Sequence, residues 1–219
     1  AALFLDPGLG KSAISLAALS TLKAQKMLNC ALVIAPLRVC HNVWPSEVEK
    51  WSDFSGLRIT VLHGTKKDKL LDVKSDIYLL NPEGLEWFVA AGGFDKLRPD
   101  VLIVDESTKF KATNTRRFKL LKPMLSRFRR RWILTGSPAP NGLLDLFGQV
   151  LIADRGAALG RYITHYRMQY FIPSGFGGYT WLPQKDAPEK IYEKLAPLAL
   201  RMSAEDYLEL PVLVEREVV

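Results

Sequence analysis

Short aliphatic runs alternate with longer amphipathic stretches along the first two-thirds of the chain. The short runs are Ala2–Leu5, Ala31–Ala35, Arg58–Leu62, Asp76–Leu80, Val101–Val104 and Trp132–Thr135. Several place apolar residues at consecutive positions, as in VLIV at Val101–Val104, and this predicts strands buried on both faces. Helical spacing predicts helices over Lys11–Leu28, Asn42–Trp51, Glu83–Ala91 and Thr115–Phe128. In the last of these, Phe118, Leu121, Leu125 and Phe128 form an apolar stripe, widened by Leu120 and Met124 and interrupted by Pro123. Strand and helix in alternation predict an α/β fold, a mostly parallel sheet with helices on both faces and right-handed crossovers.

After about Asp154 the alternation weakens. The pattern divides the chain into a motif-bearing core, residues 1–153, and an irregular C-terminal extension, residues 154–219. Tyr170–Pro183 is rich in glycine, proline and aromatics, and a helix is expected over Ala187–Leu195. The aromatics of Tyr170–Trp181 fit either a surface that stacks on bases or a folded surface flap with its own small core. The closing PVLVEREVV reads as a strand or linker, and Ala1 is not a start methionine. Both ends suggest a piece of a longer protein.

Composition narrows the class. With 219 residues, 48% hydrophobic and 24% charged, the chain has the make-up of one globular domain or lobe and excludes a mainly disordered one. Cys30 and Cys40 are too few for a disulfide scaffold or a cysteine-rich metal site, and His41, His63 and His165 lack metal-ligand spacing. No apolar run reaches the ~18 residues of a membrane span, and no signal peptide opens the chain, so a soluble intracellular protein is expected. The net charge is +7, from 30 Lys and Arg against 23 Asp and Glu. Ten of the basic residues lie between Ser107 and Leu144, where no acid occurs, and the remainder (20 against 23) is slightly acidic. Such a block fits a polyanion partner or the solvated face of a helix.

The chemistry concentrates at strand ends. DPGLGKS at Asp6–Ser12 stands between an apolar strand and a helix, an arrangement that aims backbone N–H groups at one point and suits phosphate. Pro7, Gly8, Leu9, Gly10, Lys11 and Ser12 would form that cradle. Lys11 would reach the β- and γ-phosphates, and the Ser12 hydroxyl would bind Mg²⁺. The first glycine of the strict pattern is replaced by Leu5, so a plain glycine-rich turn is the alternative. Val101–Val104 leads into Asp105 and Glu106. A carboxylate there suits Mg²⁺ (Asp105) and the next one a general base for water (Glu106), unless Asp105 only caps the following helix.

A third strand end carries LTGSPAPNGLLDLF, Leu134–Phe147. With it the chain resembles the first RecA-like lobe of superfamily II helicases, in the Swi/Snf-type branch and close to its phage and prophage members. GLGKS, DEST and LTGSP follow in the family's order. VIAPLRVCHNVWPSEVEKW (Val33–Trp51), VLHG (Val61–Gly64), LLNPEGL (Leu79–Leu85) and PLALRMSAEDYLELP (Pro197–Pro211) resemble its intermediate and closing segments. Thr108 stands where the family has a histidine, and the glutamine motif and the second lobe with its arginine fingers are not in the sequence.

The resemblance implies an ATP-binding lobe of a nucleic-acid-dependent ATPase, a duplex-DNA translocase or helicase-like motor. It implies ATP and Mg²⁺ as cofactors, a second RecA-like lobe of the same parent chain as partner, and the cytoplasm of a bacterial or phage-infected cell. It assigns Thr135, Gly136 and Ser137 to coupling. It places Arg38 and Asn81 in backbone-contacting loops, and Lys109 and Lys111, just after DEST, facing nucleic acid or the missing lobe. The lone fragment would bind nucleotide and turn it over poorly, because losing an arginine finger costs roughly 10³–10⁵ in related NTPases. A P-loop kinase or other NTPase, and a non-catalytic nucleic-acid-binding module, are the competing readings.

Overall fold

A computed structural model describes residues 1–175 and 180–206. The apolar runs become strands because every side chain in them has a layer to enter. In chain order the elements are β1 (Ala2–Leu5), α1 (Lys11–Ala24), β2 (Ala31–Ile34), α2 (Trp44–Lys50), β3 (Ile59–Val61), α3 (Lys67–Leu70) and β4 (Ile77–Leu80). There follow α4 (Leu85–Ala90), α5 (Gly93–Leu97), β5 (Val101–Asp105), α6 (Arg116–Leu121), β6 (Arg130–Thr135) and α7 (Leu146–Asp154). The chain continues through α8 (Ile163–Tyr170), β7 (Phe171–Ser174), β8 (Thr180–Pro183), α9 (Ala187–Leu195) and β9 (Ala199–Met202).

Seven strands form one sheet, ordered β3–β4–β2–β5–β6–β1–β9, and each adjacent pair is parallel. Alternate residues feed two cores. Leu32, Ile34, Leu102 and Val104 enter the layer covered by α4 to α7 and α9, where Phe88, Phe118, Phe147 and Ile191 meet them. Ala31, Val33, Val101 and Ile103 enter the opposite layer, under Leu16 and Leu19 of α1 and Trp44 of α2. Each of the fully buried Val, Leu, Ile and Phe side chains among these contributes roughly 1.5–3 kcal/mol. The α/β fold with a parallel sheet and helices on both faces is therefore the observed one.

The order of the strands positions the site. β5 and β6 are inserted between β1 and β2, so segments distant in sequence become neighbours. Because all run the same way, their carboxyl ends share one edge. The register pairs Phe4 with Thr135 and Asp105 with Leu134, which brings the three motif-bearing ends nearly level.

Several helices depart from the sequence pattern for visible reasons. α1 stops at Ala24 rather than Leu28, because Lys26 turns the chain with φ 56°. The Asn42–Trp51 helix is preceded by a wide π turn, Val39–Val43, that runs straight into α2. Pro123 ends the α-helical part of Thr115–Phe128 as its missing N–H requires, and a 3-10 segment (Lys122–Arg127) carries the stripe onward. Phe118, Leu121, Leu125 and Phe128 are all buried.

The stretch after Asp154 is more regular than expected. β7 and β8 pair antiparallel, and β9 joins the main sheet beside β1, pairing Leu5 with Met202. Tyr166, Tyr170 and Phe171 are buried in the main core, with the Tyr166 ring 5.3 Å from that of Phe147, so among the described residues these aromatics pack on the lobe itself. β9 escaped the sequence reading because an edge strand, with Leu200 half exposed, needs no apolar alternation. The closing PVLVEREVV lies outside the described residues, as do residues 176–179 and 207–210.

Helix α7 escaped for the opposite reason. Leu146 to Ala153 are buried all round, and a helix apolar on every side has no amphipathic period. Its Gly148 lies against the turn after β5: a Cβ there would fall 2.4 Å from the Lys111 carbonyl oxygen and 2.5 Å from that of Phe110. We expect Gly148→Ala to destabilise the protein by about 1–3 kcal/mol through overpacking, despite alanine's better helix propensity, as urea unfolding would measure.

Candidate active site

The phosphate-type loop begins where β1 leaves the sheet. Gly8 and Gly10 adopt φ 88° and 74°, a region that favours glycine, and Gly10 caps α1 directly. Pro7 to Ser12 thus form a tight solvent-facing turn at a helix N-terminus, with the Leu9 N–H donating to the Asp6 carbonyl at 3.3 Å. A cavity of about 210 Å³ is lined by Gly8, Gly10, Lys11, Ser12, Ala13 and Glu47. The Lys11 ammonium donates to the carbonyls of Leu5 (2.6 Å) and Asp6 (3.2 Å), which hold it at the strand end. Asp6 accepts the Ala204 N–H at 2.9 Å, tying the loop to the chain beyond β9.

At the end of β5, Asp105 is buried with two donors on it. The Trp44 indole N–H reaches one carboxylate oxygen at 3.0 Å, and the Glu106 backbone N–H reaches the other at 3.0 Å. Burial pushes the Asp105 carboxyl above the usual aspartate range, against the pull of those bonds and the Lys11 charge. Glu106 is half-buried and holds φ 51°, uncommon for a residue with a side chain. Burial and then the Asp105 charge push its carboxyl up, while Lys11 and Lys109 pull it back. Lys11 is therefore close enough for both carboxylates to feel it, although about ninety residues separate them in sequence. Hard oxygen ligands from Ser12 and Asp105 beside a glycine-built cradle fit a magnesium–nucleotide complex.

The end of β6 lies against the phosphate-type loop. Thr135 is buried and its hydroxyl accepts the Ser137 N–H at 3.2 Å. A Cβ on Gly136 would sit 3.1 Å from the Pro7 ring, tighter than ordinary contact, so glycine eases this close approach. Of the expected coupling residues, Gly136 thus touches the loop itself.

The four residues assigned to nucleic acid divide by environment. Arg38 is exposed after β2, and Lys109 is exposed in the 3-10 turn after β5. Asn81, after β4, donates to the Glu83 carboxylate at 2.9 Å. Lys111 is engaged elsewhere: its ammonium pairs with Asp145 at 3.0 Å, and both groups are partly buried. β4, β2 and β5 are adjacent, so these loops form one half of the carboxyl edge, and the loops of β5, β6 and β1 form the other. DEST stands where the halves meet.

The basic block proves to be dispersed. Arg116 pairs with Glu86 and Arg127 with Asp95, while the Arg131 guanidinium donates to the carbonyls of Leu125, Phe128 and Ala153. Trp44, Glu47 and Gln149 at the site were not singled out by their sequence context. His41 and His63, apart in sequence, meet edge to face at 5.3 Å.

Comparison with known proteins fits this geometry. The family described as SNF2-related domain matches residues 2–156. The chain belongs to the SNF2-related family. Among curated relatives it is 32% identical over 215 residues to putative protein p41 of Acyrthosiphon pisum secondary endosymbiont phage 1, covering 93% of this chain and 46% of that protein. It is 29% identical over 182 residues to the rice DNA repair and recombination protein RAD54, covering 77% and 18%. The SWI2/SNF2 ATPase core of Sulfolobus solfataricus, solved in complex with dsDNA, shares the fold with a TM-score of 0.74 at 24% identity, covering 93% of this chain and 40% of that one. The SNF2-related chain spans under half the length of each of these proteins. No helix among the described residues is long and apolar enough to cross a membrane.

The Trp44–Asp105 bond yields a signed prediction. Because it stabilises the ionised carboxylate, its contribution is full where Asp105 is charged and falls as the pH drops through the raised carboxyl range. Trp44→Phe should cost roughly 1.5–3 kcal/mol at neutral pH in metal-free buffer, beyond a pH-independent packing loss. Urea unfolding at neutral and acidic pH checks this; an identical loss at both would show that the bond does not stabilise the charge.

Proposed function

We propose that this chain is the nucleotide-binding lobe of an ATP-driven motor that acts on duplex DNA. The observation that carries the reading is the convergence of Asp6–Ser12, Asp105–Glu106 and Thr135–Ser137 on three adjacent parallel strand ends. Lys11 would bind the β- and γ-phosphates, with Pro7 to Ser12 enclosing them. Ser12 and Asp105 would hold Mg²⁺, which supplies charge neutralisation at the phosphates when bound. Glu106, its carboxyl raised by burial, would accept the proton of the attacking water. Thr135, Gly136 and Ser137 would carry the state of the nucleotide to the rest of the edge.

Duplex DNA is supported by the archaeal SWI2/SNF2 core, which was solved with dsDNA bound, and by the repair proteins among the relatives. Arg38, Asn81 and Lys109 would meet the sugar–phosphate backbone along the β4–β2–β5 half of the edge, a sequence-tolerant mode of contact. A second lobe of the parent protein would face the nucleotide from the other side, consistent with relatives more than twice as long. The phage relative supports a bacterial or phage-infected cell.

In the intact protein, Lys11→Ala should abolish nucleotide binding by calorimetry. Glu106→Gln should retain binding and lose about 10²–10⁴ in DNA-stimulated turnover. Hydrolysis indifferent to every DNA and RNA offered would overturn the motor reading, and fast turnover by these 219 residues alone would contradict the need for a second lobe.

The two lysines after DEST should separate. Lys109→Ala should weaken DNA binding and reduce the salt slope by about one unit. Lys111→Ala should instead cost roughly 1–2 kcal/mol of stability, because its ammonium serves Asp145. Fluorescence anisotropy across a salt series, with thermal unfolding alongside, distinguishes the two outcomes.

A further inference from the structure

From Leu146 to Ala153, helix α7 is apolar except for one fully buried amide, Gln149. Its carbonyl oxygen accepts the Ser107 hydroxyl at 2.6 Å. Its amide nitrogen donates to the carbonyls of Pro138 (2.6 Å) and Asp145 (2.8 Å). The two carbonyls can only accept, which fixes the amide orientation. Ser107 is also fully buried and directly follows Glu106, while Pro138 directly follows Ser137. A single side chain therefore joins the turn that bears the candidate general base to the loop that touches Pro7.

A second connection runs parallel to the first. Asp145 pairs with Lys111 of the same turn and accepts the backbone N–H of Asn141 from the same loop, both at 3.0 Å. Gly148 lets α7 approach the turn closely enough for both links to form. A buried polar side chain in an apolar helix carries a desolvation cost that an aliphatic residue would avoid, and its return is a defined relative position of the groups it joins.

We infer that Gln149 is a positioning residue that makes the loop Gly136–Asn141 move as one piece with the turn Glu106–Lys111. Nucleotide engaged at the phosphate-type loop and at Glu106 is then felt along the β6 loop through α7. The inference rests on the nucleotide-site reading proposed above and adds the route by which that site is linked to its neighbour. Coupled sites of this kind change one another's equilibria by roughly 5- to 150-fold.

Hydrogen–deuterium exchange with and without MgADP tests it in the wild type, Gln149→Met and Ser107→Ala. In the wild type MgADP should slow exchange at residues 7–13 and, by roughly tenfold, at residues 136–142. Both variants should keep the protection at 7–13 and lose most of it at 136–142, the Lys111–Asp145–Asn141 link being left in place. Ser107→Ala is the sharper variant, since it leaves Gln149 bonded to Pro138. A residue that merely anchors the loop would keep the protection there. Wild-type-like protection of 136–142 in either variant, or none in a wild type protected at 7–13, overturns the inference alone. No protection at 7–13 in the wild type overturns the nucleotide reading and this inference with it.

Discussion

The parallel pairing of β5 with β2 on one side and β6 on the other is the constraint on which the rest of this structure depends. β5 is buried along its whole length and β6 over Ile133–Thr135, so a place inside the sheet keeps these residues covered on both faces. Their insertion between β1 and β2 follows, and with it the alignment of three strand ends at one edge. A sheet in natural chain order would have left Lys11 and Asp105 two strands further apart. Topology, rather than any property of the motifs, makes them one site.

At that edge the fold accepts local costs. Asp105 is a carboxylate carried into the interior, held by an indole N–H and a backbone N–H. Glu106 adopts a left-handed backbone conformation, and Gln149 places an amide inside an apolar helix. Each is unfavourable in isolation and tolerable because the two cores supply the bulk of the stability. Their concentration at the end of β5 marks the part of the molecule where position matters more than packing.

Charge tells a similar story at larger scale. The basic residues between Ser107 and Leu144 look like one feature in the sequence, yet they serve separate purposes. Arg116 and Arg127 meet acids on α4 and α5, Lys111 holds Asp145, and Arg131 closes carbonyls at segment ends. The excess positive charge is a sum over unrelated environments, and Lys109 is the member of the block that stands exposed beside DEST.

The central strands and the glycine loop were legible in the sequence, because double burial requires consecutive aliphatic residues and a positive φ favours glycine. Val101–Val104 and Gly8–Gly10 announce themselves whatever surrounds them. The sequence also showed the Pro123 break, since a missing N–H acts locally. It could not show α7, whose uniform burial erases the helical period, or β9, an edge strand under weak patterning. Nor could it show Trp44 on Asp105 or Gln149 on Ser107. Hydrogen bonds between side chains 61 and 42 residues apart exist only once the strands have been ordered. Local backbone chemistry is written in the residues themselves. The meeting of distant polar groups was decided by the tertiary structure, because it depends on which strand lies beside which.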